Sequence, residues 1–238
     1  MSTTLEGTPN PEAPNPQLPI VQKLRVRYAK RGRLRFTSHR DFGRAFERAV
    51  RRARVPIAYS SGFTPHPKIS YANAAPTGAA SEAEFLEIGL TRVCDPEQVR
   101  ASLDAALPPG LDVVAVVPAP EGGGSLADRL EASLWRIELS GASGVEAAAG
   151  AFLAAAEVAV ERMTKRGLRD IDVRAAVVGL EASGEQISAV VRATVPTVRP
   201  DDVVASLRQF GAEIPGAPVA TRIEQGPLDD GRVADPLA

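Results

Sequence analysis

An α+β fold is predicted by three features of the 238-residue chain: short stretches of alternating hydrophobicity, helical stretches with one apolar side, and one Gly/Pro-rich break near the middle. The length permits one large domain or two of roughly a hundred residues each. Hydrophobic residues make up 44% of the chain and aromatics only 5%, so the core is expected to be aliphatic.

The elements follow in order. Lys23 to Ala29 alternates Leu24, Val26 and Tyr28 with Arg25 and Arg27, the period of a half-buried strand whose basic side chains share one face. Arg31-Gly-Arg33 reads as a tight turn. The helix after it starts at Ser38, with Asp41 three residues on in a variant of the capping box. Projected at helical spacing, Phe42, Ala45, Phe46, Ala49, Val50 and Ala53 fall on one side, and Arg40, Arg44, Arg48 and Arg51 nearly opposite. Pro56 ends this helix, Ile57–Tyr59 is extended, and Ser60 to Pro67 forms an irregular loop. Strands are expected at Ile69–Ala75 and Glu84–Leu90, a helix at Pro96–Ala106, and a strand at Leu111–Val117.

Beyond the break at Pro118 to Ser125 a similar series returns. A strand is expected at Leu134–Leu139, a helix at Val145–Ala156 and a short extended piece at Glu157–Glu161. Strands at Ile171–Val178 and Ile187–Val195, a helix at Asp201–Phe210 and a strand at Val219–Ile223 complete it. The order β-α-β-β-α-β, met twice, is that of two ferredoxin-like halves packed as a pseudo-duplicated unit. The expected organisation is a disordered leader over 1–21, a basic domain over 22–118 and a Gly/Pro-containing linker over 119–132. A second domain over 133–224 and a flexible tail over 225–238 follow.

Charge is distributed unevenly. Thirteen Lys or Arg residues and two acids lie between Gln22 and Arg54, whereas the whole chain has a formal net charge of -1. A polyanion meets a local field there that the overall balance hides, while a uniformly basic coat is excluded. The single cysteine, Cys94, excludes an internal disulfide and a cysteine-only metal cage. The longest apolar run is too short for a membrane span and the N-terminus lacks a basic-then-apolar signal pattern, so a cytoplasmic, non-membrane protein is expected.

The arginine-rich segment is the strongest functional signal, because guanidinium groups bind phosphate through a planar fork and stack on bases. A solvated basic helix paired with acids is the plainer alternative, although paired surface charges add little stability. In Tyr59-Ser-Ser-Gly-Phe-Thr-Pro-His-Pro-Lys68, Pro65 and Pro67 stiffen the backbone around His66. Phe63 or Tyr59 can stack on a base there while Lys68 meets phosphate. A structural turn with Phe63 tucked beneath it is the other reading. His39 and His66 are the only histidines and formally supply an acid and a base for RNA cleavage, the candidate catalytic pair. His39 and Asp41, two residues apart, do not share a helical face, so no metal site is expected. Thr77 to Ser81 lacks the pattern of a phosphate-binding nucleotide loop. Lys165, Arg166 and Arg169 make a smaller basic patch in the second half, and Trp135 is expected in the core.

Four blocks carry a resemblance: Leu34-Arg-Phe-Thr-Ser-His-Arg-Asp41, Phe46-Glu-Arg-Ala-Val-Arg-Arg52, Tyr59 to Lys68, and Met163 to Arg174. With them the chain resembles the radical-SAM-linked proteins of the DUF2344 type over roughly residues 22–224. Members occur fused to a radical SAM domain or as separate proteins, and the chain is similar to the standalone form. It has no CxxxCxxC motif, so radical-SAM activity does not transfer and no cofactor is expected. Ser61 stands where many members have Gln or another polar residue, which argues against a required nucleophile. The resemblance implies association with RNA modification or processing, and the general outline is similar to RNA-handling proteins of the RAMP superfamily.

The expected function is that of a non-catalytic RNA-binding accessory protein, presenting RNA to a partner enzyme. The expected contacts are Arg25, Arg27, Arg31, Arg33, Arg35, His39, Arg40, Arg44, Arg48, Arg51, Tyr59, Phe63, His66, Lys68, Lys165, Arg166 and Arg169. One alternative is a metal-independent RNA-cleaving or RNA-modifying enzyme using His39 and His66. Another is an assembly module that meets an acidic protein.

Overall fold

The computed structural model describes residues 18–61, 63–164 and 167–238. Positions 1–17 of the expected leader, Gly62 of the proline-rich loop, and Lys165 and Arg166 of the second basic patch lie outside the described residues.

Among the described residues the fold is α+β, with four α-helices and a mixed sheet of eight strands. The first half contains β1 (Gln22–Lys30), α1 (His39–Arg52), β2 (Ile69–Ala72), β3 (Ala80–Leu90), α2 (Pro96–Ala106) and β4 (Leu111–Pro118). The second contains β5 (Ala132–Glu138), α3 (Val145–Ala154), β6 (Ala159–Thr164) and β7 (Gly167–Asp172). It continues through β8 (Val177–Ser183), β9 (Gln186–Arg192), α4 (Pro200–Gln209) and β10 (Val219–Gly226). The sheet runs β4-β1-β3-β10-β5-β9-β8, with β2 also on β3. Its pairs are antiparallel except β3 with β10, which join in parallel at Ala80–Thr221 and Ser81–Arg222.

Alternation places Leu24, Val26 and Tyr28 of β1 beside Leu86, Ile88 and Leu90 of β3, and α1 and α2 cover them to make the first core. In the second half Trp135 and Ile137 of β5 form a core with α3, α4 and the β6–β7 hairpin. The opposite face of the first half is also covered, since Ala72, Ala83 and Phe85 meet Leu126, Leu130 and Leu237.

Three expectations require correction. The strand expected over Ile171–Val178 is divided: Ile171 closes the β6–β7 hairpin, Val173 to Ala176 turn, and β8 begins at Val177. The linker expected over 119–132 is packed, with Leu126 and Leu130 buried and the Gly124 carbonyl accepting from Arg25 Nη2 at 3.0 Å. The flexible tail expected over 225–238 instead continues β10 to Gly226 and folds into a small hairpin of β11 (Leu228–Asp229) and β12 (Arg232–Val233). Leu237 beyond it reaches the third cluster, and apolar contact outweighs the polar composition of the segment.

Candidate functional site

Helix α1 is fixed from its first residue. Ser38 Oγ accepts from the Asp41 backbone N–H at 3.1 Å and donates to Asp41 Oδ2 at 2.7 Å. Asp41 stands in the first turn and Arg51 and Arg52 in the last, both favourable to the helix dipole. The buried side carries Phe42, Phe46, Ala49 and Val50, and Phe42 stacks on Tyr28 with ring centroids 4.1 Å apart. Anchoring that side turns Arg40, Arg44, Arg48 and Arg51 outward. All four are exposed, and none of their guanidinium groups makes a hydrogen bond or ion pair among the described residues. At about 1.5 Å rise per residue the row spans roughly 16 Å.

The other cations of the segment divide by location. Arg25 is 2% exposed, held by the Gly124 carbonyl and facing Glu87, and is thereby removed from the set of open phosphate contacts. Its alternation was legible, but the linker covers the face it points to. Arg27 is half-buried and donates to the Glu82 carbonyl at 2.9 Å. Arg31 is gripped by Glu82 and Asp112, which raise its pKa, the Glu82 hydrogen bond foremost. It serves the fold before any ligand. Lys30 is buried within 3.4 Å of the Ala75 and Pro76 carbonyls, and burial pulls its ammonium below the ordinary lysine value. Arg33 is exposed, and Arg35, half-buried, lies 4.8 Å from the ring centre of Phe36. Phe36 itself is 59% exposed. It was missed as a stacking candidate, although its place after Arg33-Leu-Arg35 was the signal for one.

The proline-rich loop is closed by the Tyr59–Pro67 bridge and by His66 N–H donating to Ser60 Oγ at 2.9 Å. Phe63 stands fully exposed at its tip, so the reading that tucks it beneath the turn is set aside. Tyr59 is half-buried against the first core, while His66 and Lys68 are exposed. His66 and Lys68 share a groove of about 270 Å³ with Lys23, Ser70 and Glu87. His39 is also exposed and sets its ring against Tyr71, 5.0 Å away and nearly perpendicular. Tyr71 belongs to the helix-side core whereas Ser70 faces the groove, so the pleat directs the surroundings of the two histidines to opposite sides of β2. No contact joins His39 to His66 among the described residues. Arg169 is exposed on β7, in the hairpin that packs against α4. No cluster of three or more His, Cys, Asp or Glu side chains is placed to hold a metal ion among the described residues. No described helix is long and apolar enough to cross a membrane.

A second arrangement sits where the halves meet. Glu84 on β3 is in line with Leu86 and Ile88 on the helix-bearing face, and it forms a buried ion pair with Arg222 on β10. Arg222 also donates to Gln225 Oε1 at 2.5 Å and lies 5.4 Å from the ring centre of Trp135. Burial alone would raise the Glu84 carboxyl. The Arg222 charge, with hydrogen bonds from Ser81, Arg222 and the Ala75 N–H, outweighs it and holds the pKa below the ordinary carboxylate value. Beside the pair opens a cavity of about 460 Å³. Trp135, expected only as core, is buried there and also forms part of the cavity wall.

Comparison with solved structures finds the crystal structure of an unknown protein from Galdieria sulphuraria, 16% identical, covering 84% of this chain and 98% of that one, with a TM-score of 0.26. Comparison with curated proteins finds no match. The family model of DUF2344, described as an uncharacterized protein conserved in bacteria, matches residues 23–200, and the chain belongs to that family.

Proposed function

We propose that the protein is an RNA-binding accessory factor whose contact surface is the outward side of α1. The observation that carries this reading is the row of Arg40, Arg44, Arg48 and Arg51, exposed along one helix and without carboxylate partners among the described residues. Four free guanidinium groups on a rigid helix meet successive phosphates at no cost in broken ion pairs. Arg33 and Phe36 precede the same helix, and Phe63 and Lys68 follow it, offering stacking and further charge. The pleat of β2, which directs the surroundings of His39 and His66 to opposite sides, favours binding over paired acid–base cleavage. The protein then presents RNA to a partner enzyme in the cytoplasm.

The same reading takes the two halves as ferredoxin-like units from a duplication. The strand order supports it: β4-β1-β3, with β2 on β3, in the first half is matched by β10-β5-β9-β8 in the second. In each, one helix follows the first strand and another precedes the last, with the β6–β7 hairpin inserted in the second.

The test is a binding series with structured RNA, single-stranded RNA and duplex DNA across salt concentration. RNA affinity is expected to fall linearly on logarithmic axes, with a slope of about -0.7 per phosphate contacted on single strands. Replacing Arg40, Arg44, Arg48 and Arg51 together with Glu is expected to abolish the association while leaving the thermal transition in place. Absence of binding to every RNA, or binding indifferent to those four substitutions, overturns the proposal.

A further inference from the structure

The cavity of about 460 Å³ where the halves meet is lined from both sides of the seam and has a consistent chemistry. Its volume falls within the ~300–1,000 Å³ of small-molecule sites. The apolar wall includes the Trp135 indole, with the Arg222 guanidinium close to the ring. Arg192, at the end of β9, and Arg199, just before α4, also line it; both are exposed and have no ion-pair partner among the described residues. No Asp or Glu among the described residues lines the cavity. Gln225 is 3% exposed, and its Oε1 is occupied by Arg222. Its Nε2, a donor on a residue that lines the cavity, is buried without a hydrogen-bond partner among the described residues. Buried donors are nearly always satisfied, and this one, closed off here, meets a ligand acceptor once the carboxamide turns toward the cavity.

We propose that this cavity binds a nucleotide, its base against the Trp135 and Arg222 wall with a ring acceptor on Gln225 Nε2, and its phosphate on Arg192 and Arg199. Each part of the ligand answers one feature of the lining. A planar aromatic ring suits an indole wall. Base edges present carbonyl and ring-nitrogen acceptors to a carboxamide N–H. A phosphate suits two guanidinium forks without ion-pair partners, in a cavity that no described carboxylate lines. The Asp202 carboxylate already accepts from the Arg199 backbone N–H at 2.7 Å and from Arg162 at 2.5 Å, so the phosphate partners are the two side chains and not the end of α4. A free mononucleotide and the terminal nucleotide of an RNA strand share this chemistry. The inference rests on the cavity alone and is independent of the role given to α1.

Trp135 is the only tryptophan in the chain, so its emission reports directly on occupancy. The full-length protein is titrated with each of the four ribonucleoside monophosphates, with the corresponding nucleosides and with inorganic phosphate. Calorimetry provides a second readout. At least one monophosphate is expected to saturate the signal below about 1 mM, with its nucleoside and inorganic phosphate each weaker by about tenfold or more. Arg192→Ala combined with Arg199→Ala, both exposed sites, is expected to weaken the monophosphate by at least about tenfold. Gln225→Met is expected to weaken the nucleoside as well. Replacing the four arginines of α1 is expected to leave mononucleotide binding unchanged, which separates this site from the helix. Displacement by a 5′-phosphorylated trinucleotide but not by its 5′-hydroxyl form assigns the site to RNA ends; displacement by neither assigns it to free nucleotides. The proposal is overturned if no monophosphate binds by either readout, if inorganic phosphate binds as tightly, or if the double arginine variant binds unchanged.

Discussion

The Arg222 guanidinium on β10 meets the Glu84 carboxylate on β3 at the parallel junction of the two halves, with side chains only 4% and 2% exposed. Two charges so deeply buried are tolerated because their remaining groups are satisfied: Ala75 N–H donates to Glu84 at 3.0 Å, and Ser81 and Gln225 accept from Arg222. Removing one partner strands the other. Glu84→Ala is expected to cost about 3–5 kcal/mol, whereas Glu84→Leu combined with Arg222→Met recovers most of that loss. Urea unfolding of these two variants and of the unaltered protein measures the difference.

The same carboxylate sets an acid limit. Glu84 is held below its ordinary value, whereas in the unfolded chain it titrates near ~4.3. The unfolded state therefore binds the proton first as pH falls. Its contribution is complete above that unfolded value and is lost as pH drops through the lower folded value. Thermal unfolding followed by circular dichroism is expected to show a steep acid fall in the midpoint, and Glu84→Gln is expected to flatten that fall.

The two sides of α1 separate stability from binding. Phe46 is fully buried, so Phe46→Ala is expected to destabilise by about 3–5 kcal/mol through lost transfer energy and a residual cavity. Arg44→Ala, on the exposed side, is expected to stay within about 0.5 kcal/mol. Denaturant midpoints test the pair, and RNA affinity should respond in the opposite order at a temperature where both variants are folded.

Gly226 has no space for a side chain: a Cβ there would lie 2.0 Å from the Ala234 carbonyl oxygen. Gly226→Ala is expected to displace the β11–β12 hairpin and destabilise by about 1–3 kcal/mol. Hydrogen exchange should rise over residues 228–238 while α1 keeps its protection.

Local patterns made much of this legible. Ser38 and Asp41, with phenylalanines opposite arginines, announced α1 to its first residue, and the helix expected at Pro96–Ala106 has the bounds of α2. The end of β7 runs into β8 in the sequence reading because Ile171 and Val173 continue the alternation of period two, whereas Gly167, with φ of +100° in the structure, is the turn signal for the hairpin. Arg25 shows the limit of periodicity, which assigns a face but does not say that Gly124, 99 positions away, will cover it. Glu84 is one of three acids within β3, and its partner stands 138 positions on. The cavity draws its wall from segments between Asn73 and Gln225, a convergence that only the completed sheet produces.

The parallel contact of β3 with β10 lets the backbone of each half finish the other's hydrogen bonding. Pulling the two halves apart would bare an unpaired margin on each, a template for a second copy or for a foreign strand. The seam therefore works as a seal as well as a joint: so long as β3 and β10 stay together, the backbone at Ala80–Ser81 and Thr221–Arg222 is withheld from the surrounding solution.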